Sequence, residues 1–263
     1  MINGLVIDRV LQATGFSKST GDPIYRLTQV QNPSLTSSAD QVDALDNTGV
    51  KIMSFDRNAA ATFSFENAVK DLGLLASQLG TSVVEASTTV KVNVPAFDVI
   101  DVVEGTTEYT LKHTPVATPV VYILNGDGSL GIKIENDTTA AEGKFAYAEG
   151  KITIVIGEAI KAGAQLVAMY EFEADGTEGK KATAVEAKSN VFAKPHRLVV
   201  EVLAYDPCEP DVMIYVYLIF NNAKMSRNFD LTLDTESAHS AEIECMVDYC
   251  SKDKKLFEII IPE

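Results

Sequence analysis

The sequence predicts a mainly β protein with one α-helix, and three observations carry that expectation. Short runs rich in Val, Ile, Thr, Tyr and Phe are bounded by Gly, Pro, Asn and Asp through most of the chain. One segment alone repeats its apolar residues at three- and four-residue spacing. A stretch in the middle has its own rhythm of strands and turns, so the framework reads as interrupted by a second, smaller β module.

The composition limits what such a chain can do. Its 263 residues hold 22 basic and 37 acidic side chains, a formal charge of −15, which argues against nonspecific duplex binding through a basic surface. With 46% hydrophobic residues it has the material for a core, in one or two domains. The longest apolar run, Val212 to Phe220, is too short to span a bilayer. Asp8 and Arg9 fall where a secretory signal would place its apolar segment, so we expect a soluble chain without an export signal or a membrane partner. Cys208, Cys245 and Cys250 are an odd number without a CxxC pair, which fits free thiols better than a disulfide framework.

Taken in order, a strand is expected over Ile24–Val30 and another over Val50–Phe55. Between them Gln31 to Gly49 is polar and rich in Ser, Thr and Asp, and is expected to be a long loop. It is either a mobile surface loop or a segment that orders against another subunit, and its spaced Leu35, Val42 and Leu45 favour the second. The helix is expected over Glu66–Leu79, capped by Ser64, with Phe65, Val69, Leu72, Leu75, Ala76 and Leu79 on its apolar stripe and Gly80 ending it.

A boundary is expected near Gly105. After it come strand candidates Tyr109–Leu111, Val120–Leu124, Ile132–Ile134, Lys144–Tyr147, Lys151–Ile156 and Gln165–Phe172, separated by turns such as Asn125-Gly126-Asp127-Gly128 and Glu149-Gly150. Residues 106–178 therefore read as an inserted immunoglobulin-like β-sandwich, with Gly176–Ser189 as its exit linker and residues 1–105 and 179–263 as the discontinuous framework domain. The framework resumes with Arg197–Leu203, Val212–Phe220, Phe229–Leu233, Ala241–Val247 and Leu256–Ile261. VMIYVYLIF is apolar at both parities, so both faces of that strand should be covered. Ile243, Cys245 and Val247 alternate with Glu242, Glu244 and Asp248, and Phe229, Leu231 and Leu233 alternate with Asp230, Thr232 and Asp234, which predicts two strands with acidic, water-facing sides.

Catalytic constellations are missing: there is no Walker loop, no GxGxxG after a strand, no GxSxG and no HExxH. His113, His196 and His239 stand in separate segments and are expected in surface or structural roles, not as metal ligands. Cys208 sits among acids that raise a thiol's pKa, a poor nucleophile. Asn125-Gly126-Asp127-Gly128-Ser129 echoes the start of a calcium loop, but Glu135 stands one position short of the expected bidentate ligand, and a hairpin turn explains the residues. No catalytic residue, cofactor or metal is expected.

The passages NPSLTSSADQVDALDNTGVKIMSFDRNAAATFSFENAVKDLGLLASQLGT and LVVEVLAYDPCEPDVMIYVYLIFNNAKMSRNFDLTLDTESAHSAEIECMVDY, together well over a third of the chain, resemble the major tail tube protein of long-tailed bacteriophages. The resemblance implies a tail-tube-type β-sandwich or barrel domain with one helix, in a structural virion protein that forms homo-hexameric rings stacked into a hollow tube. It implies self-association, contact with other tail proteins such as the tape measure and tail terminator, DNA passing without specific binding, assembly in the host cytoplasm and a place in the virion tail. It also places Leu35, Val42 and Leu45 in a loop against the adjacent ring. The chain departs from the simplest family pattern in carrying its insert in mid-framework. Asp230, Asp234, Glu242, Glu244 and Asp248 are the candidates for a water-facing surface, either the channel or the exterior; a lumen rich in carboxylates repels phosphate and lets DNA slide. The other readings are a head decoration or capsid-associated protein and a carbohydrate-binding β-sandwich. The absence of Trp, the usual sugar platform, counts against the last.

Overall fold

The computed structural model describes residues 4–229, 231–235, 238–249 and 252–262. In chain order the elements are β1 (Val6–Ser17), β2 (Pro23–Leu27), β3 (Val30–Leu45), β4 (Lys51–Asn67), α1 (Leu72–Leu79), β5 (Val84–Glu85), β6 (Val92–Asp101), β7 (Glu108–Thr110), β8 (Val120–Leu124), β9 (Leu130–Asn136), β10 (Lys144–Ala148), β11 (Lys151–Ile154), β12 (Gln165–Ala174), β13 (Thr183–Ala184), β14 (His196–Asp206), β15 (Glu209–Met225), β16 (His239–Cys245) and β17 (Glu258–Ile260). The protein is mainly β with one helix among the described residues, as expected.

Two compact units emerge, one from Met1–Val83 with Val185–Glu263 and the other from Val84–Ala184. The second thus begins well before residue 106. Its extra strand is β6, which pairs antiparallel with β12 from Val92↔Ala174 to Asp101↔Gln165. Pro95 interrupts β6 as a sequence pattern, yet an edge strand tolerates proline, and β6 is the edge of the order β6-β12-β8-β9-β10-β11-β7. The core of this unit gathers Val121, Ile134, Phe145, Ile152, Ile154, Ile160 and Leu166, all essentially inaccessible. Asp98 turns inward from β6 and is satisfied by the Tyr170 hydroxyl, 2.7 Å away, and the Lys112 amide, 2.8 Å away.

The first unit is a sheet ordered β2-β1-β14-β15-β16-β4-β3 that curls into a half-barrel, with β17 paired to β15 beside the end of β16. Its concave core holds Phe63, Phe65, Leu198, Val200, Phe220, Met225 and Ile243. Phe63 stacks on Phe220 with ring centroids 5.4 Å apart. Alternation decides what faces inward: Ala61, Phe63, Phe65 and Asn67 are buried on β4, and Ala241, Ile243 and Cys245 face them from β16.

That alternation corrects the expected helix start. Phe65 and Glu66 belong to β4 because Phe65↔Ala241 and Glu66↔Ser240 are register pairs, so Ser64 lies mid-strand and caps nothing. The helix begins at Leu72, where Asp71 Oδ1 accepts the Leu74 amide at 2.7 Å. It does end at Gly80, whose φ of 75° is left-handed, and a Cβ there would collide with the Phe192 carbonyl.

Candidate functional site

The expected loop from Gln31 to Gly49 is instead the strand β3 and a tight turn. β3 pairs with β4 from Val30↔Asn67 to Leu45↔Lys51, forming the longest hairpin in the chain. Asp46 makes the turn: its Oδ1 accepts the amides of Thr48 and Val50, each at 2.8 Å, and Gly49 takes the left-handed φ of 83°.

The two ends of this hairpin are different environments. Ala61–Asn67 of β4 is held by β3 on one side and β16 on the other, whereas Lys51–Ala60 pairs with β3 alone. A bulge with Asn58 at φ 51° marks the place where β4 leaves β16. Beyond it residues 38–57 form a free two-stranded arm roughly 30 Å long at about 3.3 Å per residue. Register sorts its side chains: Val42 lies opposite Phe55 and Ala44 opposite Met53, while Gln41 lies opposite Asp56 and Asp43 opposite Ser54. One face therefore carries Val42, Ala44, Met53 and Phe55 with the charged pair Asp40 and Arg57 at its base, and the other is polar. Val42, Met53 and Phe55 are about half exposed, and Leu45, Val50 and Ile52 more so. On the polar face Asp43 sits 2.9 Å from Lys51 Nζ and also accepts from Ser54, which holds its carboxyl below the usual carboxylate range.

Of the three leucine and valine candidates, Leu35 packs against its own core opposite Phe63. Val42 and Leu45 stand on the open arm. The sequence signal for the arm was there in the polar Ser/Thr run: an edge strand wetted on both faces shows no apolar alternation, so it reads as a loop.

The acidic candidates do not form one strip. Glu242 and Glu244 are exposed on β16, opposite Ser64 and Thr62 of β4, but Lys224 of β15 lies opposite Glu244. Asp248 lies past the end of β16 and faces Lys18 Nζ at 3.5 Å. The expected strand Phe229–Leu233 is not a strand at its described residues; Leu233 is 85% exposed and Asp234 is exposed in the connection from β15 to β16. Asp230 lies outside the described residues.

The expected two-sided cover of β15 is also not met among the described residues. Ile214, Val216 and Phe220 are buried on one face, while Met213 (58% exposed) and Tyr215 (43%) lie open on the other. Among the described residues no group of three His, Cys, Asp or Glu is placed to hold a metal, and no helix is long and apolar enough to cross a membrane. A cleft of about 520 Å³ in the first unit is lined by hydroxyls and the two lysines Lys18 and Lys194, the first of them paired with Asp248.

A half-barrel with a long unpaired hairpin and an open apolar strand face has the make-up of a structural protein that associates with others. Residues 5–257 match the model of the YomU/Tube protein family, and the chain belongs to that family. It is thus a structural tube protein of the phage tail type, as its sequence resemblance implied. No curated protein matches the sequence.

Proposed function

We propose that the chain polymerises through its β3–β4 arm into homo-hexameric rings that stack as the tail tube and conduct DNA during ejection. The arm is the observation that carries this reading. An isolated two-stranded ribbon is marginal in water, and this one leaves apolar side chains exposed and both strand edges beyond Ala60 unsatisfied. Covering half-exposed Val42, Met53 and Phe55 contributes about 1 kcal/mol apiece to each such contact. The second unit, expected at 106–178, is read as an immunoglobulin-like insert. Glu242 and Glu244, beside Lys224, are read as facing water, either in the bore or on the exterior, and DNA passes without specific contacts. Tape measure and tail terminator proteins are the other tail partners of such a tube, and no cofactor or catalysis enters.

The test replaces Val42 and Phe55 together by Asp. The double variant is expected to keep its far-ultraviolet spectrum and melting temperature but to form no rings or tubes in negative-stain images at concentrations where the unaltered protein does. Tubes of unchanged diameter from the variant would refute the role of the arm.

A further inference from the structure

We propose that the seat of the arm is the open face of β15 on a second copy of this chain, so that Val42, Met53 and Phe55 of one copy cover Met213, Tyr215 and Ile260 of the next. The inference rests on the arm's role in assembly and adds its receptor.

Four observations point to that seat. First, the run Val212–Phe220 is apolar at both parities, the composition of a strand covered on two sides, yet among the described residues Met213 and Tyr215 on one side stay open. Second, the open side carries an apolar row at Met213 and, past the hydrogen-bonded Tyr217–Glu201 pair, the exposed Ile260 of β17. The pairs Val6↔Tyr205 and Tyr205↔Met213 set Val6 and Met213 in one cross-strand row, and Tyr217↔Ile260 sets Ile260 opposite Tyr217. Val6 is 54% exposed and Ile260 40%. Third, the patch and the arm do not cover each other within one copy. β4 and β15 are both bonded to β16, at Ala61↔Cys245 and Ala223↔Cys245, and run past its end in the same direction as parts of one sheet. Val42, Phe55, Met213 and Tyr215 all remain exposed, so the arm does not cover that face of β15 in its own copy. Fourth, the two surfaces suit each other in kind and size: each presents apolar side chains on two to three strands, and sheet faces pack at about 10 Å with interdigitated side chains.

The contact is heterologous, since arm and seat are different surfaces, and such a contact repeats from copy to copy until it closes a ring or extends a helix. Each copy both gives an arm and receives one.

The test is interchain crosslinking with two single variants, Phe55→Cys and Tyr215→Cys, on a background with Cys208 replaced by Ser. Mixed, assembled under reducing conditions and then oxidised, they are expected to give a disulfide dimer joining the two different variants, in a yield many times that of either variant alone. The pair Phe55→Cys with Ile132→Cys, whose second position is exposed on the other unit, is the control and should stay at background. Tubes that form normally in the mixture without the Phe55–Tyr215 crosslink would overturn the seat and leave the arm's role in assembly standing. Loss of tubes in the Val42 and Phe55 aspartate variant, together with a positive crosslink in the cysteine mixture, supports both. Tubes from that aspartate variant would remove the arm itself.

Discussion

His196 is 1% exposed, with its Nε2 2.8 Å from the hydroxyl of buried Tyr25, and burial pushes the imidazole down to about 4. His239 is fully buried. Its Nε2 donates to Gln78 Oε1 at 2.7 Å, while Gln78 Nε2 donates to the Ser240 carbonyl at 3.1 Å, and burial lowers this imidazole too. Both are neutral structural residues that tie β2 to β14 and α1 to β16. Because the folded value lies below the unfolded value of about 6.5, the unfolded chain binds more protons between the two. Stability contributed by a neutral His196 is thus complete above about pH 6.5 and is lost as the pH falls toward 4. Between pH 7 and pH 5 the loss comes to about 2 kcal/mol for His196. Urea unfolding of the dispersed subunit should show that slope, and His196→Asn should flatten it; an unchanged slope in the variant would assign the acid sensitivity elsewhere. The Cys245 thiol, pushed up to about 11 by burial, is a core group in the same sense.

At the level of elements, the helix and its neighbours show which local signals were sufficient. Asp71→Ala removes the acceptor of the Leu74 amide and is expected to cost about 1 kcal/mol. Gly80→Ala is expected to cost more, since it meets a left-handed φ and the Phe192 carbonyl together. Chemical denaturation that ranked the two in the opposite order would contradict this account of the helix ends. Gly80 was legible because only glycine takes that conformation without strain. The helix start was not: Phe65 and Val69 fit helical spacing by coincidence, and what fixes Phe65 in a strand is Ala241, far away in sequence. β14 and β15 were legible from their apolar runs, though neither at its full length. β3 and β6 were hidden for opposite reasons, one being too polar on both faces and the other carrying Pro95. The candidate site was half visible. Val42 and Leu45 were singled out and stand on the arm, but Phe55 opposite Val42 and Met53 opposite Ala44 required the register. Asp248 was misplaced because β16 ends at Cys245, before the alternation does.

The whole molecule is a half-barrel framework interrupted by a second unit, with its most extended hairpin and one face of β15 left without cover by the described residues of its own chain. Membership in the YomU/Tube family agrees with a protein finished by its neighbours. Hydrogen exchange of the amides in residues 38–57, compared between dispersed subunits and assembled tubes, tests that claim most directly. The account predicts fast exchange along the arm in the subunit, where each strand is paired on one side only, and exchange slowed by orders of magnitude in the tube. Equal rates in both states, with the core strands β14 and β16 protected as usual, would contradict it.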